Sequence, residues 1–173
     1  MALSIPPTFV LLTTLAFAGP PNQEAPLAEA QKVQIVKEVK AVVQAMANGC
    51  QRLDIDVAAK DFQQDKDTLV VSSEGQIIEP KLLREGLRAF YASQASMSFT
   101  RIQEELRILA PDLVLYAWSY KVDGTSKKGA QWVVDPEAAS FLLRKVDGAW
   151  KFIFYQESCG PVKRVPTAPL PAK

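Results

Sequence analysis

The chain of 173 residues contains no histidine. Histidine titrates near neutrality and is the commonest metal ligand, so its absence excludes Ser-His-Asp triads, Cys-His pairs and histidine-ligated metals. The two cysteines cannot form a tetrahedral zinc site alone. We therefore expect no metal and no cofactor, and any acid–base chemistry must use Asp, Glu, Tyr or Lys with a shifted pKa.

The chain also lacks an excess of positive charge and a membrane-length apolar run. Its formal net charge is +1 and no dense Lys/Arg stripe occurs, which disfavours a nucleic-acid partner. The apolar run at residues 8–18, TFVLLTTLAFA, is too short for a membrane span. It ends in Ala16-Phe17-Ala18, an A-x-A cleavage pattern, so residues 1–18 are predicted to be a signal peptide of a periplasmic or secreted protein. The alternative is a buried N-terminal segment of a cytosolic protein.

The rest of the chain is predicted to be one domain, residues 29–159, between two tails. Residues 19–28 are predicted to be a flexible leader, and the Pro-rich residues 160–173 a disordered tail. Helices are expected from Glu29, after Asp54 or Asp56, and from Pro80. Two short strands around Ser-Ser-Glu-Gly and then several long strands account for the remainder, with a bulge or kink at Asp135-Pro136. Helices followed by antiparallel strands predict an α+β fold with helices on one face of the sheet.

One carboxylate is predicted to lie on an apolar strand face. Strand alternation places Glu104 on the same face as Ile102, Leu106 and Ile108. The opposite, solvent-exposed face holds Arg101, Gln103, Glu105 and Arg107. A buried carboxylate has a raised pKa and can act as a general acid or base, which makes Glu104 the candidate catalytic residue. The alternatives are that it lies at an open sheet edge or pairs with a lysine. Tyr116 belongs to a Tyr and Trp stripe that could be core, dimer interface or ligand cage.

The two cysteines, Cys50 and Cys159, are expected after the first helix and at the end of the last strand. An even pair in an exported protein suggests a disulfide, which would close a loop of about 110 residues. The alternative is two separately buried thiols.

Several segments resemble a known superfamily. They are NGCQRLDIDVAAKDF at the end of the first helix, the hairpin around SSEG, and the closing KVDGAWKFIFYQES, in which Asp147-Gly148-x-Trp150 and Ser158 are the most specific residues. This order resembles the nuclear transport factor 2-like, or SnoaL-like, superfamily, and is similar to its uncharacterised family near ketosteroid isomerase. The resemblance implies a cone-shaped, cystatin-like fold, in which three helices wrap a strongly bent antiparallel sheet around a pocket.

The resemblance also bears on the pocket residues. Relatives often have histidine two residues before the closing serine, where this chain has Gln156, and this difference argues against catalysis at that position. The residues expected at the pocket are Tyr91, Glu104, Tyr116, Phe154 and Gln156.

Three functions remain open from the sequence. The first is a non-catalytic module that binds a small hydrophobic molecule in an apolar pocket. The second is an enzyme of isomerase or lyase type with Glu104 as the base and a tyrosine as oxyanion donor. The third is a structural or interaction protein that forms a homodimer through the outer face of the sheet. Fold alone does not choose among them, since this superfamily includes enzymes, carriers and interaction modules.

Overall fold

The computed structural model describes residues 27–63 and 68–165, so the predicted signal peptide and most of the leader lie outside the described residues. The helices are α1 (Glu29–Gln51), α2 (Ile55–Ala58) and α3 (Pro80–Ser93). The strands are β1 (Leu69–Val71), β2 (Ile77–Ile78), β3 (Gln94–Ala110), β4 (Leu113–Ser126), β5 (Gln131–Val146), β6 (Ala149–Cys159) and β7 (Lys163–Val165). No helix in the described ranges combines the length and the apolar character needed to cross a bilayer.

The helix starts follow from local chemistry. The Asp54 side chain accepts hydrogen bonds from the backbone N–H groups of Asp56 and Val57, at 3.0 and 3.1 Å, and caps α2. Pro80 is the first residue of α3, where its missing N–H has no helical partner to lose. Helix α1 continues through Gly49 to Gln51. A Cβ at position 49 would lie 2.4 Å from the Ala58 backbone nitrogen, so only glycine fits there. Glycine therefore lets α2 pack directly against the end of α1.

The described strands form one sheet in the order β2-β1-β6-β5-β4-β3. All pairs are antiparallel except β1 with β6, which is parallel, and β7 adds to β5 beyond the end of β6. Long strands after an N-terminal helix confirm the predicted α+β class with a large, mainly antiparallel sheet.

Helix α1 covers one end of the inner sheet face and forms the core with it. Val39 and Val43 of α1 are fully buried together with Tyr116, Phe141 and Phe152 of the sheet. Glu38 ties the helix to the sheet, since its carboxylate accepts hydrogen bonds at 2.8 Å from Trp150 Nε1 and from Lys145 Nζ. These contacts leave the other end of the inner face to α2 and α3.

Two β-bulges change which side chains face inward. In β3, Arg101 pairs with Tyr120 and Gln103 with Ser119, so Ile102 is an extra residue and is 55% exposed. The predicted shared face of Ile102 and Glu104 is therefore wrong, whereas Leu106 and Ile108 do pack against the core.

In β6, Phe152 pairs with Leu143 and Phe154 with Leu142, so Ile153 is the extra residue. After Ile153 the inward positions shift by one residue along the strand. This shift determines which side chains of β6 reach the pocket.

Two sequence expectations concern the end of the chain and the Asp-Pro dipeptide. A register shift does occur at Asp135-Pro136, where Tyr120 pairs with Glu137 but Val122 with Val134. The prediction of a disordered tail from Gly160 requires a correction, because residues 163–165 form β7. Strand β6 ends opposite Glu137, which leaves one edge of residues 131–133 free to pair with β7. Residues 166–173 lie outside the described ranges.

Candidate functional site

A cavity of about 830 Å³ lies between the inner face of the sheet and the helices α1, α2 and α3. Its walls are mainly apolar and aromatic, and Phe141, Trp118 and Trp132 supply much of the sheet side. Helix α3 forms the opposite wall with Leu83, Leu87 and Phe90. This volume is within the range of small-molecule sites in proteins, about 300–1,000 Å³.

Five polar side chains of β4, β5 and β6 meet in the cavity wall, and we call them the carboxyl cluster: Tyr120, Glu137, Tyr155, Glu157 and Cys159. The Tyr120 hydroxyl donates to Glu157 Oε1 at 3.0 Å, and the Cys159 thiol donates to Glu137 Oε1 at 3.2 Å. Tyr155 lies in the same wall, and the ligand oxygens of Glu137 and Glu157 lie within 4.8 Å of each other. Two acids and three weak donors thus lie together in an apolar wall.

The environment of Glu157 favours its protonated form. Burial, followed by the hydrogen bond and the negative charge of Glu137, raises the pKa of Glu157 to about 8. Glu137 is itself buried, at 8% exposure. Across the described ranges, neither carboxyl group forms an ion pair with a lysine or an arginine. The pair therefore holds a proton at neutral pH instead of a protein cation.

A second polar pair, Cys50 and Tyr91, lies in the same cavity between α1 and α3. Burial raises the pKa of the Cys50 thiol to about 11. Burial and the hydrogen bond to Glu137 raise the pKa of Cys159 to about 12. Both cysteines are free thiols in the structure, so the suggested disulfide is not formed, and both are poor nucleophiles at neutral pH.

The ligand atoms of Glu137, Glu157 and Cys159 lie within 4.8 Å of one another, close enough to contact one metal ion. Carboxylate and thiolate bind metals in their deprotonated forms. A metal would have to displace the proton of Glu157, whose pKa is about 8, and that of Cys159, whose pKa is about 12. Proton competition at neutral pH therefore opposes metal binding by this trio.

Glu104 lies apart from the residues that line the cavity. Its carboxylate pairs with Lys40 Nζ at 2.6 Å and with Arg101 at 2.9 Å, and it accepts the hydroxyl hydrogen bond of Tyr116. The hydrogen bonds from Lys40 and Tyr116 lower the pKa of Glu104, the opposite of the raised pKa expected from the sequence. Of the alternatives that the sequence left open for Glu104, pairing with a lysine is the one that the structure shows.

The other sequence-predicted pocket residues lie in different places. Tyr91 lines the cavity and is 5% exposed. Tyr116 is fully buried in the core beside Glu104 and is not among the lining residues. Phe154 and Gln156 also fall outside the lining, because the bulge at Ile153 brings Tyr155 and Glu157 to the inner face in their place.

The residues of the carboxyl cluster are not predicted as a site from the sequence. Glu157 and Cys159 are alternate residues at the end of the last strand, but strict alternation from Trp150 puts them on the wrong face. Glu137 follows Asp135-Pro136, and its only sequence signal is that the predicted kink would redirect the strand there.

Comparison with known proteins identifies the fold. No protein-family model and no curated protein matches the chain. A candidate scytalone dehydratase of Novosphingobium aromaticivorans matches with a TM-score of 0.70 and 10% identity over 82% of this chain and 94% of its own. The hexachlorocyclohexane dehydrochlorinase LinA-type3 of Novosphingobium barchaimii matches with a TM-score of 0.67 and 9% identity over 84% of this chain and 100% of its own.

A third solved structure carries the name of the fold. An NTF-2 like protein of unknown function from Shewanella oneidensis matches with a TM-score of 0.57 and 15% identity over 72% of this chain and 98% of its own. Identities this low show the fold and not the activity. The chain has the nuclear transport factor 2-like fold, as its sequence resemblance implied.

Proposed function

We propose that the protein binds a small hydrophobic molecule in its cavity. The observation that carries this proposal is the 830 Å³ space itself, whose walls are aromatic and aliphatic apart from a few polar groups. An apolar pocket with few, convergent polar groups is the usual form of a small-molecule site. The sheet and the three helices form the walls, so the space exists without a partner chain.

A neutral fluorescent dye tests this function without knowledge of the natural ligand. Nile red should bind the purified protein with stoichiometry near one and gain fluorescence, because its environment becomes apolar. A cavity-filling variant, Ala139→Leu, should weaken dye binding, since Ala139 lies in the cavity wall and is 3% exposed.

The adjacent alanine provides the matched control. Ala138 is exposed and faces away from Ala139 along β5, so Ala138→Leu adds the same atoms outside the cavity. Both variants should show the native circular dichroism spectrum. Dye binding that is absent, or that responds equally to both substitutions, would reject the cavity as the binding site.

A second candidate function is acid–base catalysis of an isomerase or lyase type. It is favoured by the Glu137–Glu157 pair, because a pKa of about 8 lets one carboxyl group exchange a proton with a bound molecule near neutral pH. Two solved structures of this fold, named as a dehydratase and a dehydrochlorinase, carry names of elimination enzymes. The donor and acceptor of the proton would be these residues of β5 and β6, and not Glu104.

Proton exchange at carbon tests the catalytic candidate. Ketones that fit the cavity should exchange α-hydrogens for deuterium faster with the protein than with buffer, and Glu157→Gln should lower that rate at least about a hundredfold. Glu104→Gln, which changes a carboxylate outside the cavity, should leave the exchange rate intact. Exchange that is undiminished in Glu157→Gln would remove this carboxyl group from the reaction.

Export and dimer formation are two further proposals. The apolar run and Ala16-Phe17-Ala18 support export, and the mature N-terminus of protein purified from its host, expected at Gly19, tests it. Leu115, Leu142 and Phe154 lie in adjacent register on the outer sheet face and support a homodimer. Sedimentation at micromolar concentration should then show a dimer, and a monomer alone would contradict it.

A further inference from the structure

The hydrogen-bond inventory of the carboxyl cluster limits what a ligand can offer to it. Two of its donors are already directed to a carboxyl oxygen. Tyr120 donates to Glu157 and Cys159 donates to Glu137, and the ligand oxygens of the two carboxyl groups lie within 4.8 Å of each other.

The acceptor side of the inventory is not saturated. Each carboxyl group has about four lone-pair positions, and each phenol oxygen has lone pairs of its own. The two carboxyl groups therefore offer the cavity mainly acceptors. A ligand group that meets them favourably is a hydrogen-bond donor, because an acceptor there would face lone pairs.

The charge of the cluster selects among donors. The ligand oxygens of Glu137 and Glu157 lie within 4.8 Å of each other in the cavity wall, and no lysine or arginine of the described ranges forms an ion pair with them. A buried charge without a partner is costly, so a ligand with one positive charge would stabilise the site more than a neutral donor.

The aromatic rings around the cluster fit a cation as well. The ring of Trp118 lies 4.8 Å from that of Tyr120, and the ring of Phe141 lies 5.5 Å from that of Tyr155. These four side chains line the cavity. The faces of aromatic rings attract ammonium groups, and this attraction grows when the ammonium group is removed from water.

We propose that the ligand of the cavity is a hydrophobic amine whose protonated nitrogen donates hydrogen bonds to Glu137 and Glu157, while its apolar body fills the space below α3. This inference depends on the proposed binding function and specifies its ligand class. The amine nitrogen occupies the position at which the carboxyl lone pairs converge, and the aromatic side chains exclude water from the ion pair.

An anionic ligand would instead contact the cationic side chains that line the cavity. Arg84 and Arg164 also line the cavity. Arg84 is held by an ion pair with Asp56, and Arg164 belongs to β7, where it is exposed to solvent. An anionic ligand would place its charge near Arg164 and away from the carboxyl cluster, so a comparison of ligand charges separates the two arrangements.

The test is displacement of Nile red at pH 7 by three phenylalkyl molecules of similar length that differ in their polar end: phenylbutylamine, phenylbutanol and phenylbutyrate. The amine should bind about tenfold or more tightly than the alcohol, because it adds a charge-assisted hydrogen bond, and the carboxylate should bind most weakly. The double variant Glu137→Gln/Glu157→Gln, which removes both carboxyl groups, should lower amine affinity about tenfold and change alcohol affinity less than about twofold. Glu105→Gln removes a carboxylate from an exposed position of β3 and should change neither affinity.

Each other outcome overturns a defined claim. If Nile red binds but the alcohol competes as well as the amine, the amine is rejected and the cavity function stands. If phenylbutyrate binds most tightly, the anionic arrangement at Arg164 replaces it. If neither the dye nor any of the three binds, both the cavity function and the amine are rejected. The wild-type ligand comparison decides the question even if the double variant fails to fold, and each single variant, Glu137→Gln and Glu157→Gln, provides a further test.

Discussion

Glu104 of β3 and Glu157 of β6 are the same residue type on two strands of one sheet, yet their environments shift the pKa in opposite directions. Glu104 has Lys40 and Arg101 beside it, and hydrogen bonds from Lys40 and Tyr116 lower its pKa. Glu157 lies in the cavity wall beside Glu137, and burial raises its pKa to about 8. Each receives a tyrosine hydroxyl, so the phenol does not explain the difference.

The difference shows that the presence of a cation, and not burial alone, separates a structural carboxylate from a chemically available one. Glu104 joins α1 to β3 through Lys40 and is already neutralised by the protein. Glu157 has a proton in place of that cation, and a proton can be exchanged or displaced by a ligand. The following predictions test this contrast, beginning with the largest effect.

The largest effect is expected for Glu157 at alkaline pH. Its folded pKa is raised, so the folded state binds the proton more tightly and the stability from it is complete below about 4.5 and is lost as pH rises to about 8. Glu157→Gln removes the titration and should raise the free energy of unfolding at pH 8.5 by about 2–4 kcal/mol relative to wild type. Urea unfolding at pH 6 and pH 8.5 measures this difference, with Glu105→Gln as the control. An equal pH dependence in Glu157→Gln would contradict the assignment.

The two tyrosines form a matched pair for the second prediction. Tyr120→Phe and Tyr116→Phe each remove a donor to a carboxyl group and should each lower the free energy of unfolding by about 2 kcal/mol. Both hydroxyls stabilise the ionised carboxylate, so the pKa of Glu157 should rise further in the first variant and that of Glu104 should rise in the second. Carboxyl titration by NMR measures these pKa values, and an unchanged carboxyl pKa in either variant would contradict the prediction.

The third prediction concerns Glu104, whose contribution to stability has the opposite pH dependence to that of Glu157. The lowered folded pKa of Glu104 contributes stability above its unfolded value, and that stability is lost as pH falls through the folded value. Glu104→Gln keeps an acceptor for Tyr116 but loses two partly exposed ion pairs, so it should cost about 1 kcal/mol at pH 7. Urea unfolding at pH 7 would contradict the contrast if this variant were as stable as wild type or more stable.

The smallest effect concerns the cation itself. Lys40 has a side chain 46% exposed, so its pair with Glu104 is screened by water. Lys40→Met should cost less than about 1 kcal/mol, and the cost should shrink further in high salt. Thermal unfolding at low and high ionic strength checks this, and a salt-independent loss would indicate a packing effect instead.

The sequence predicts the helix starts and the class of fold because those depend on local chemistry. Asp54 caps α2 and Pro80 begins α3. Aspartate is generally favoured at the N-cap of a helix, and proline at its first position. Tyr91 reaches the cavity because it lies on the apolar side of α3, which helical periodicity shows.

The carboxyl cluster could not be derived in the same way. The inward position of its β6 members depends on one extra residue, Ile153, which reverses every later side chain of that strand. Ile153 does not differ in type from its apolar neighbours Phe152 and Phe154, so the sequence contains no signal for this bulge. The pKa of Glu104 depends on Lys40, which lies 64 residues away in the chain and is brought near only by folding.

The most direct test of the contrast is a side-chain carboxyl NMR titration of the wild-type protein, with Glu104 and Glu157 assigned through their Gln variants. Glu157 should titrate at about 8, while Glu104 should titrate below its ordinary value. A Glu157 carboxyl that titrates in the ordinary glutamate range would contradict a proton-holding carboxyl pair in the cavity and, with it, the acid–base role proposed for Glu157.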